Sequence, residues 1–406
     1  MSFFTESQEQ SLFKLYGRDA QYAENIDFFK NSFEQFLSKE IAPHAYQNDM
    51  EEVFPAESFK KLGELGFIGM PFPEEYEGMS LPFPYYCAGL ESLAKADAGF
   101  ALGVAIHGTV TDGILHYASP EIKRQYLADI ISGRKIAAFG LTETTSGSDA
   151  QSMSTSYKYD PQTKEYILNG TKYWITNGMS AEVFFIMARN QDGKVSAFVI
   201  DKKGKGTFEQ HKILDKMGVR SSNTAELVFQ DYRVPEYCLV GEHGKGFKYA
   251  MRMLNGGRIT IAAWCTGIAQ GAYEKLLKYA HERKLFGKLL KDLDNTKKEL
   301  SEMMIEIYAS RELYQHAAFY KEDEKTVAQN AAIAKVKATE ASVHIAERAI
   351  QLAGGYGYVR DSRIERHLRD ALLGRIGEGA NEVLKIVVIP RVIYQEFEKK
   401  PLINIW

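Results

Sequence analysis

The spacing of apolar residues changes twice along this chain of 406 residues, and that change constrains the fold more than any single motif. Residues 1–136 show helical spacing from about residue 20 onwards, residues 137–241 show short β-rich runs broken by turn signals, and helical spacing returns over residues 242–406. Two or three domains suit this length. We therefore predict an α+β fold with an N-terminal all-α domain, a middle β-sandwich or barrel, and a C-terminal four-helix bundle.

Several short signals mark where these elements begin or turn. Ser119 before Pro120 predicts a helix N-terminus, because Ser caps free N–H groups and Pro fits the first helical position. Asn169-Gly170 and Asp192-Gly193 predict two-residue hairpin turns between strands. Small residues also predict a closely packed helix in the C-terminal region. They are Ala331, Ala332, Ala334 and Ala338.

The composition argues against several function classes. A net charge of −3 gives no electrostatic reason to expect a nucleic acid or an acidic membrane as partner. Cys87, Cys238 and Cys265 are too far apart for a zinc spacing or a disulfide framework, so we expect no metal site and a reducing compartment. We find no apolar run near the roughly 20 residues that span a bilayer and no signal peptide, so we expect no membrane insertion and a cytoplasmic location.

Two stretches of the middle region point to a bound aromatic cofactor. The loop Phe139–Asp149 is rich in hydroxyl groups, glycine and free backbone N–H groups, and Leu168–Asn177 is predicted to form a hairpin that leads to Trp174. Together they suit a flat, polar cofactor held by its edge and its face. Because no ordinary side chain takes up a hydride, any redox chemistry here would belong to that cofactor.

From about Phe28 to Arg391 the chain resembles the acyl-CoA dehydrogenase family. Members of that family have a helical N-terminal domain, a middle β-domain and a C-terminal helical bundle, in the order predicted above. Five motifs carry the resemblance, and their joint appearance is far more specific than any one alone. They are Leu141–Asp149, Trp174–Thr176, Arg283–Gly287, Gln351–Gly357 and Arg375–Glu382.

The resemblance implies FAD as the cofactor. In the family the first two motifs bind the flavin, and the Arg of the third reaches the FAD pyrophosphate of a neighbouring subunit, a role that suits a planar guanidinium. The Gly-rich fourth motif lets the backbone approach the adenosine half. The implied cofactor contacts are Phe139, Leu141, Thr142, Ser148, Trp174, Ile175, Thr176, Arg283, Phe286, Gln351, Gly354, Gly355, Ala380 and Glu382.

The fifth motif contains Glu378, which the resemblance implies is the general base. Its two glycine neighbours let the backbone bend sharply, and burial beside an acyl chain and a flavin is expected to raise its pKa. Some family members carry the base on another helix, but here that position is Gly257. The implied substrate contacts are Ser148, Asn255, Arg258 and Gly379. Arg258 suits a structural ion pair equally well.

The chain departs from the family pattern at several positions near the cofactor and the acyl group. Thr144-Thr145-Ser146 replaces Pro-Gly-Ala, Ala380 replaces a Thr that contacts FAD, and Gly377 replaces an aromatic pocket wall. The family's pocket floor falls near residues 95–107, where this chain offers small apolar residues. They are Ala101, Leu102, Gly103 and Ala105. We therefore expect a deep or wide pocket for a medium, long or branched acyl group.

The resemblance implies dehydrogenation of an acyl-CoA thioester to a trans-2-enoyl-CoA in fatty acid metabolism. Glu378 would take the α-proton, flavin N5 would accept the β-hydride, and an electron-transfer flavoprotein would receive the electrons. A homodimer or homotetramer is expected, because Arg283 would act across an interface. The mitochondrial matrix stays open as a second location. Two alternative functions stay open: dehydrogenation of an acyl group on an acyl carrier protein, and a non-catalytic scaffold of the same fold.

Overall fold

The computed structural model describes residues 29–391 and residue 394. Residues 29–41 are helical and end in the π-helical turn Leu37–Ile41. Phe28 and the predicted helical residues before it lie outside the described residues. The N-terminal helices that follow are α1 (Ala45–Glu51), α2 (Ala56–Glu64), α3 (Phe83–Ala96), α4 (Ala98–Tyr117) and α5 (Pro120–Ile131).

Helices α4 and α5 both begin at a side chain that caps the first turn. Asp97 accepts a hydrogen bond from the backbone N–H of Phe100 at 3.2 Å, and Ser119 accepts one from Ile122 at 3.3 Å. These bonds satisfy donors that a helix start otherwise leaves free. The helix start predicted at Ser119-Pro120 is confirmed.

Helix α4 is long and apolar enough to cross a membrane, the one helix of this kind in the part of the chain that the structure describes. The expectation that no apolar run approaches this length is therefore wrong for α4. In the structure, however, 89% of its apolar window is buried inside the protein, because α3, α5, the strand Ala137–Gly140 and the helix Gly246–Glu282 pack around it. Core helices pass the same test of length and composition.

The middle of the chain folds into a seven-stranded sheet with the order β1-β4-β2-β3-β7-β6, in which β5 pairs with β4. Strands β1 and β4 run parallel, whereas long antiparallel ladders join β3 to β7 and β7 to β6. The strands are β1 (Ala137–Gly140), β2 (Ser156–Asp160), β3 (Glu165–Thr176), β4 (Val183–Arg189), β5 (Val195–Ile200), β6 (Lys205–Lys212) and β7 (Thr224–Pro235).

The hairpin predicted at Asn169-Gly170 is wrong, because β3 continues through both residues and pairs with β7. Gly170 instead lies at a register shift with φ of 137°, where a Cβ would stand 2.6 Å from Thr155 Cα. Such a bulge needs glycine for its backbone conformation and for the close approach. The turn predicted at Asp192-Gly193 does connect the antiparallel strands β4 and β5.

The C-terminal region is a helical bundle in which α8 packs along α6 and its predicted small-residue face is buried. Trp264 of α6 is buried and donates its indole N–H to the Ala98 carbonyl at 2.7 Å, which ties the bundle to the start of α4. The predicted fold class is confirmed, while the exact domain boundaries stay a prediction. The elements are α6 (Gly246–Glu282), β8 (Lys284–Leu285), β9 (Lys288–Leu289), α7 (Asp294–Phe319), α8 (Val327–Ala353) and α9 (Glu365–Ile376).

Candidate active site

Glu378 lies on the loop that follows helix α9. The N–H of Gly377 ends the helix by donating to the Leu373 carbonyl at 2.9 Å. The chain then passes through left-handed backbone at Glu378, with φ of 54°, and at Gly379, with φ of 94°. A residue other than glycine is strained there, so the surrounding contacts must hold it in place.

The carboxyl group of Glu378 is buried next to helix α6 without a hydrogen-bond partner on Oε2. This oxygen lies 2.8 Å from the point that a Cβ on Gly257 would occupy. Burial raises the pKa of Glu378 to about 7, although the charges of Arg258 and Lys335 act in the opposite direction. A carboxyl group that titrates near neutral pH is well suited to accept a proton. At Gly257 the alternative base of the family is therefore absent. The missing side chain also leaves the space that the Glu378 carboxyl group occupies.

Arg258 holds the backbone of this loop. Its buried guanidinium donates to the Asn255 side-chain oxygen at 2.9 Å and to the Glu378 carbonyl at 3.4 Å. Burial lowers the pKa of Arg258 from its ordinary value, while the charge of Glu378 acts to raise it. The predicted substrate contacts Asn255 and Arg258 therefore lie beside Glu378. The Arg258 side chain contacts the loop at a backbone atom, the carbonyl oxygen of Glu378.

Lys335 of helix α8 is a second cation at this loop, and the sequence analysis missed it. Its fully buried ammonium donates to the Gly379 carbonyl at 2.8 Å and to the Asn381 side-chain oxygen at 2.9 Å. Asn381 in turn donates to the Thr339 hydroxyl at 2.9 Å. Burial lowers the pKa of Lys335 to about 8. The available sequence signal was a lysine among the small residues Ala331, Ala332, Ala334 and Ala338 of α8.

A cavity of about 340 Å³ lies between helices α3, α4 and α6 and the turn after α7. Thr109 lines it, and the Thr109 hydroxyl also stands 3.4 Å from the Cβ position of Gly257, which adjoins Glu378. The cavity therefore begins beside the base.

Ala101, Leu102, Gly103 and Ala105, predicted as the pocket floor, do not line this cavity, and their role stays a prediction. Gly103 faces Asn177 instead, and a Cβ on it would stand 2.8 Å from the Asn177 amide oxygen. The α4 residues that do line the cavity come later along the helix. They are Gly108, Thr109, Asp112, Leu115 and His116.

A buried ion pair joins the loop after β1 to strand β3. The Lys172 ammonium lies 2.7 Å from Glu143 Oε1 and donates to the Leu141 carbonyl at 3.1 Å. Both charged side chains are almost fully buried. The N–H of Tyr173 also donates to the Thr142 carbonyl at 2.8 Å, so the loop is fixed against the strand that carries the Trp174 segment.

Glu143 stays ionised because several donors surround it. Burial by itself would raise the pKa of Glu143, but Lys172 and the hydrogen bonds from Ser154 and Thr155 lower that pKa to about 2. The backbone N–H groups of Ser154 and Thr155 lie 2.6 Å and 2.9 Å from the carboxylate. Burial lowers the pKa of Lys172 to about 8. The sequence analysis missed this pair, because neither residue belongs to a metal, nucleophile or acid–base motif.

Trp174 presents a large aromatic surface next to this fixed loop. Its side chain is 56% exposed, and its backbone, with φ of 60°, lies at a register shift in the ladder between β3 and β7. Thr142 and Thr176 are half-buried nearby, and Ile175 is buried in the sheet. An exposed indole beside hydroxyl groups and a polar loop is a suitable platform for a flat, polar ring system.

The remaining residues predicted on the loop after β1 differ in exposure. Phe139 is buried and its ring packs edge-on against Phe185 at 5.8 Å, while Leu141 is buried and Ser148 is exposed. The structure therefore leaves Ser148, and not the two apolar side chains, open to a phosphate or a thioester.

Five further predicted cofactor contacts lie where helices α6 and α8 end. Arg283 is exposed at the end of α6, and Phe286 is 94% exposed at the tip of the β8–β9 hairpin. Three more of these residues are exposed where α8 ends, next to helix α6, which leads into the hairpin. They are Gln351, Gly354 and Gly355. Within the residues that the structure describes, no hydrogen bond, ion pair or ring contact joins this group to the loop after β1. One chain thus presents these five predicted contacts apart from those on the loop after β1.

Family models match three consecutive parts of the chain. The acyl-CoA dehydrogenase N-terminal domain matches residues 24–134, the middle domain matches residues 138–232, and the C-terminal domain matches residues 244–393. The chain belongs to the acyl-CoA dehydrogenase family.

Individual relatives agree with this assignment along nearly the whole chain. The protein "Probable acyl-CoA dehydrogenase YngJ" of Bacillus subtilis is 40% identical over 88% of this chain and 95% of its own length. The mouse mitochondrial short-chain specific acyl-CoA dehydrogenase is 36% identical over 91% of this chain and 90% of its own. The structure of butyryl-CoA dehydrogenase from Megasphaera elsdenii superposes with a TM-score of 0.87, at 35% identity, over 91% of this chain and 98% of that one.

Members of the acyl-CoA dehydrogenase family are FAD-dependent oxidoreductases, so the predictions of an enzyme and of FAD are confirmed. The residues present also fit FAD. The exposed Trp174 indole offers a ring platform, the hydroxyls of Thr142 and Thr176 offer partners for the ring edge, and exposed Arg283 offers a charge for the pyrophosphate. Ala380 is half-buried and Glu382 is exposed just after the base loop. The individual cofactor contacts stay predictions.

Proposed function

We propose that this enzyme removes two hydrogens from the α and β carbons of an acyl-CoA thioester and forms a trans-2-enoyl-CoA. The observation that carries the proposal is the Glu378 carboxyl group, which has no partner on its buried Oε2 and whose pKa is raised to about 7 by burial. It lies next to Gly257, whose Cβ position is also 3.4 Å from the hydroxyl of Thr109, a residue that lines the cavity. A base whose pKa lies near the working pH suits general-base removal of the proton beside a thioester carbonyl.

The residues of the chain would divide the work as follows. Glu378 takes the α-proton, and the flavin supplies the acceptor for the β-hydride when FAD is bound. Arg258 and Lys335 hold the loop that carries Glu378 through hydrogen bonds to the carbonyl groups of Glu378 and Gly379. Oε2 of Glu378 is buried beside Gly257, and this burial favours the protonated form at rest.

We further propose that Ser148 and Gly379 contact the thioester part of the substrate, since Ser148 is exposed on the loop after β1 and Gly379 adjoins the base. Electrons would pass to an electron-transfer flavoprotein in the cytoplasm. The separation of the five predicted cofactor contacts at the ends of α6 and α8 from those on the loop after β1 supports a homodimer or homotetramer, in which Arg283 of one subunit reaches the cofactor of another.

The deciding experiment is anaerobic bleaching of the flavin by thioesters of different length and branching, with wild type and Glu378→Gln. Wild type is expected to bleach with at least one acyl-CoA, whereas the Gln variant keeps its FAD and does not bleach. Glu347→Gln, the same change at an exposed glutamate of α8, is the matched control and is expected to bleach like wild type. A fully active Glu378→Gln variant would show that Glu378 is not the base.

Two alternatives give different results in the same assay. If acyl groups on a carrier protein bleach the flavin much faster than the same groups on CoA, then the carrier protein thioester is the substrate. A protein that stays colourless when FAD is added would instead be a non-catalytic scaffold.

A further inference from the structure

The lining of this cavity, to which Thr109 also belongs, includes a partly buried ion pair. The Lys321 ammonium, in the turn after α7, lies 2.7 Å from Asp112 Oδ1 of helix α4. These side chains are only 15% and 23% exposed, and both line the cavity. Lys321 also contacts Glu322 at 3.1 Å and lies 4.9 Å from the Phe83 ring centre, but Glu322 is 78% exposed.

Two adjacent glycines of helix α6 connect this pair to the base. A Cβ on Gly257 would stand 2.8 Å from Glu378 Oε2, whereas a Cβ on Gly256 would stand 3.5 Å from the Cε atom of Lys321. On the facing helix α4, Thr109 near the base and Asp112 at the ion pair are three residues apart, about 4.5 Å along the axis. An acyl chain that starts at Glu378 and enters the cavity therefore runs towards charged groups.

An ordinary alkyl chain is a poor match for this end of the cavity. Its terminal methyl group would displace water from the Lys321–Asp112 pair and offer no hydrogen bond in return, which is costly for charged groups. A terminal group that donates and accepts hydrogen bonds would replace the hydrogen bonds that the displaced water had made to the pair.

The charges at this end favour a neutral terminal group. Lys321 and Asp112 cancel each other, so a substrate carboxylate would gain an ammonium neighbour but would also approach the carboxylate of Asp112. The His116 ring, which also lines the cavity, lies 3.6 Å from Asp112 Oδ1. A hydroxyl or carboxamide group matches both members of the pair without adding a charge.

We propose that the cavity selects acyl thioesters whose far end carries a neutral hydrogen-bonding group, a hydroxyl or a carboxamide, and that Asp112 and Lys321 recognise that group. This inference rests on the proposed dehydrogenation, because it assigns the substrate class of the same site. The specificity would then come from buried polar groups that an unsubstituted chain leaves without partners.

The test compares kcat/KM for three series of acyl-CoA thioesters at matched chain lengths, from four to eight carbons: unsubstituted, ω-hydroxy and ω-carboxy. At the length that reaches the pair, wild type is expected to prefer the ω-hydroxy thioester over the unsubstituted one by about tenfold or more. Asp112→Leu/Lys321→Met removes both charges together, so neither is left unpaired, and this double variant is expected to lose the preference while it still oxidises unsubstituted thioesters. The matched control is Lys298→Met/Glu302→Leu, at an exposed pair on α7. This variant should keep the preference for the ω-hydroxy thioester.

The outcomes separate the two proposals. If no thioester bleaches the flavin, the proposed dehydrogenation itself is wrong. If unsubstituted or ω-carboxy thioesters are the best substrates at every length, or if the double variant keeps the ω-hydroxy preference, only the recognition by Asp112 and Lys321 is wrong. The wild-type comparison decides this even if the double variant does not fold.

Discussion

Two glutamates of this enzyme are buried in opposite electrostatic settings. Glu143 has an ammonium at 2.7 Å and two backbone N–H donors, and its pKa falls to about 2. Glu378 has no partner on Oε2, and burial raises its pKa to about 7. Burial therefore does not by itself make a carboxyl group reactive, because the number and charge of its partners decide which protonation state is favoured. The first glutamate fixes structure, while the second is available for chemistry.

The largest expected effect is the loss of the base in Glu378→Gln. General-base catalysis contributes roughly a hundredfold to ten-thousandfold, so the anaerobic bleaching rate should fall by about a thousandfold. The melting temperature should not fall, because the neutral amide replaces a carboxyl group that gained no partner on Oε2. Stopped-flow absorbance and thermal melting measure the two quantities. A variant that lost stability but kept its rate would reverse the roles given to the two glutamates.

The next effect is on stability, in Lys172→Met. This change leaves the Glu143 carboxylate buried without its ammonium, which costs about 3–5 kcal/mol of the free energy of unfolding. The bound FAD should decrease as well, because the loop after β1 is no longer fixed to β3. Chemical denaturation and the ratio of flavin to protein absorbance measure the change. The double variant Lys172→Met/Glu143→Leu should recover much of the stability, and no recovery would mean that the pair is not the cause.

Lys335→Met tests how the base is held. The variant loses two hydrogen bonds to the loop, at Gly379 and Asn381, and we expect the bleaching rate to fall by about tenfold with FAD still bound. Because the Lys335 charge lowers the Glu378 pKa, the pH profile should also move to higher pH. Lys337→Met, two residues along α8, is the control. A slower rate with an unmoved pH profile would point to a structural defect alone.

The pH dependence of wild type gives the smallest expected change. Bleaching should increase as pH rises through about 7, because Glu378 must be ionised to accept a proton. Stability should change in the opposite direction. Between the ordinary glutamate value of 4.5 and about 7, the folded protein retains a proton that the unfolded chain releases, so the free energy of unfolding falls as pH rises.

The same pH series distinguishes the two glutamates. The Glu143 contribution is present above pH 4.5 and is lost as pH falls towards 2. In Glu378→Gln the decrease between pH 4.5 and 7 should become shallower, by at most about 1.4 kcal/mol per pH unit. Denaturation at several pH values measures this, and an unchanged slope would argue against the raised Glu378 pKa.

Local sequence signals predicted some elements of the structure and failed at others. Ser119-Pro120 starts a helix as expected, because capping depends on neighbours within one turn. Asn169-Gly170 failed, because the same dipeptide that forms a hairpin turn also suits a bulge, and pairing of β3 with β7 selected the bulge. Which residues of α4 line the cavity could not be predicted, because their positions depend on how α4 packs against α6, which the sequence of α4 does not contain.

By itself the sequence determined the order of helices and strands, the family, the cofactor and the identity of the candidate base, because periodicity and motifs are local. Only the tertiary structure decided the state of each buried charge. Glu143 and Lys172 are 29 residues apart, Lys335 and Gly379 are 44 apart, and Asp112 and Lys321 are 209 apart. A charge is buried, and finds or lacks a partner, only when distant segments pack together, and that packing sets its pKa and its function.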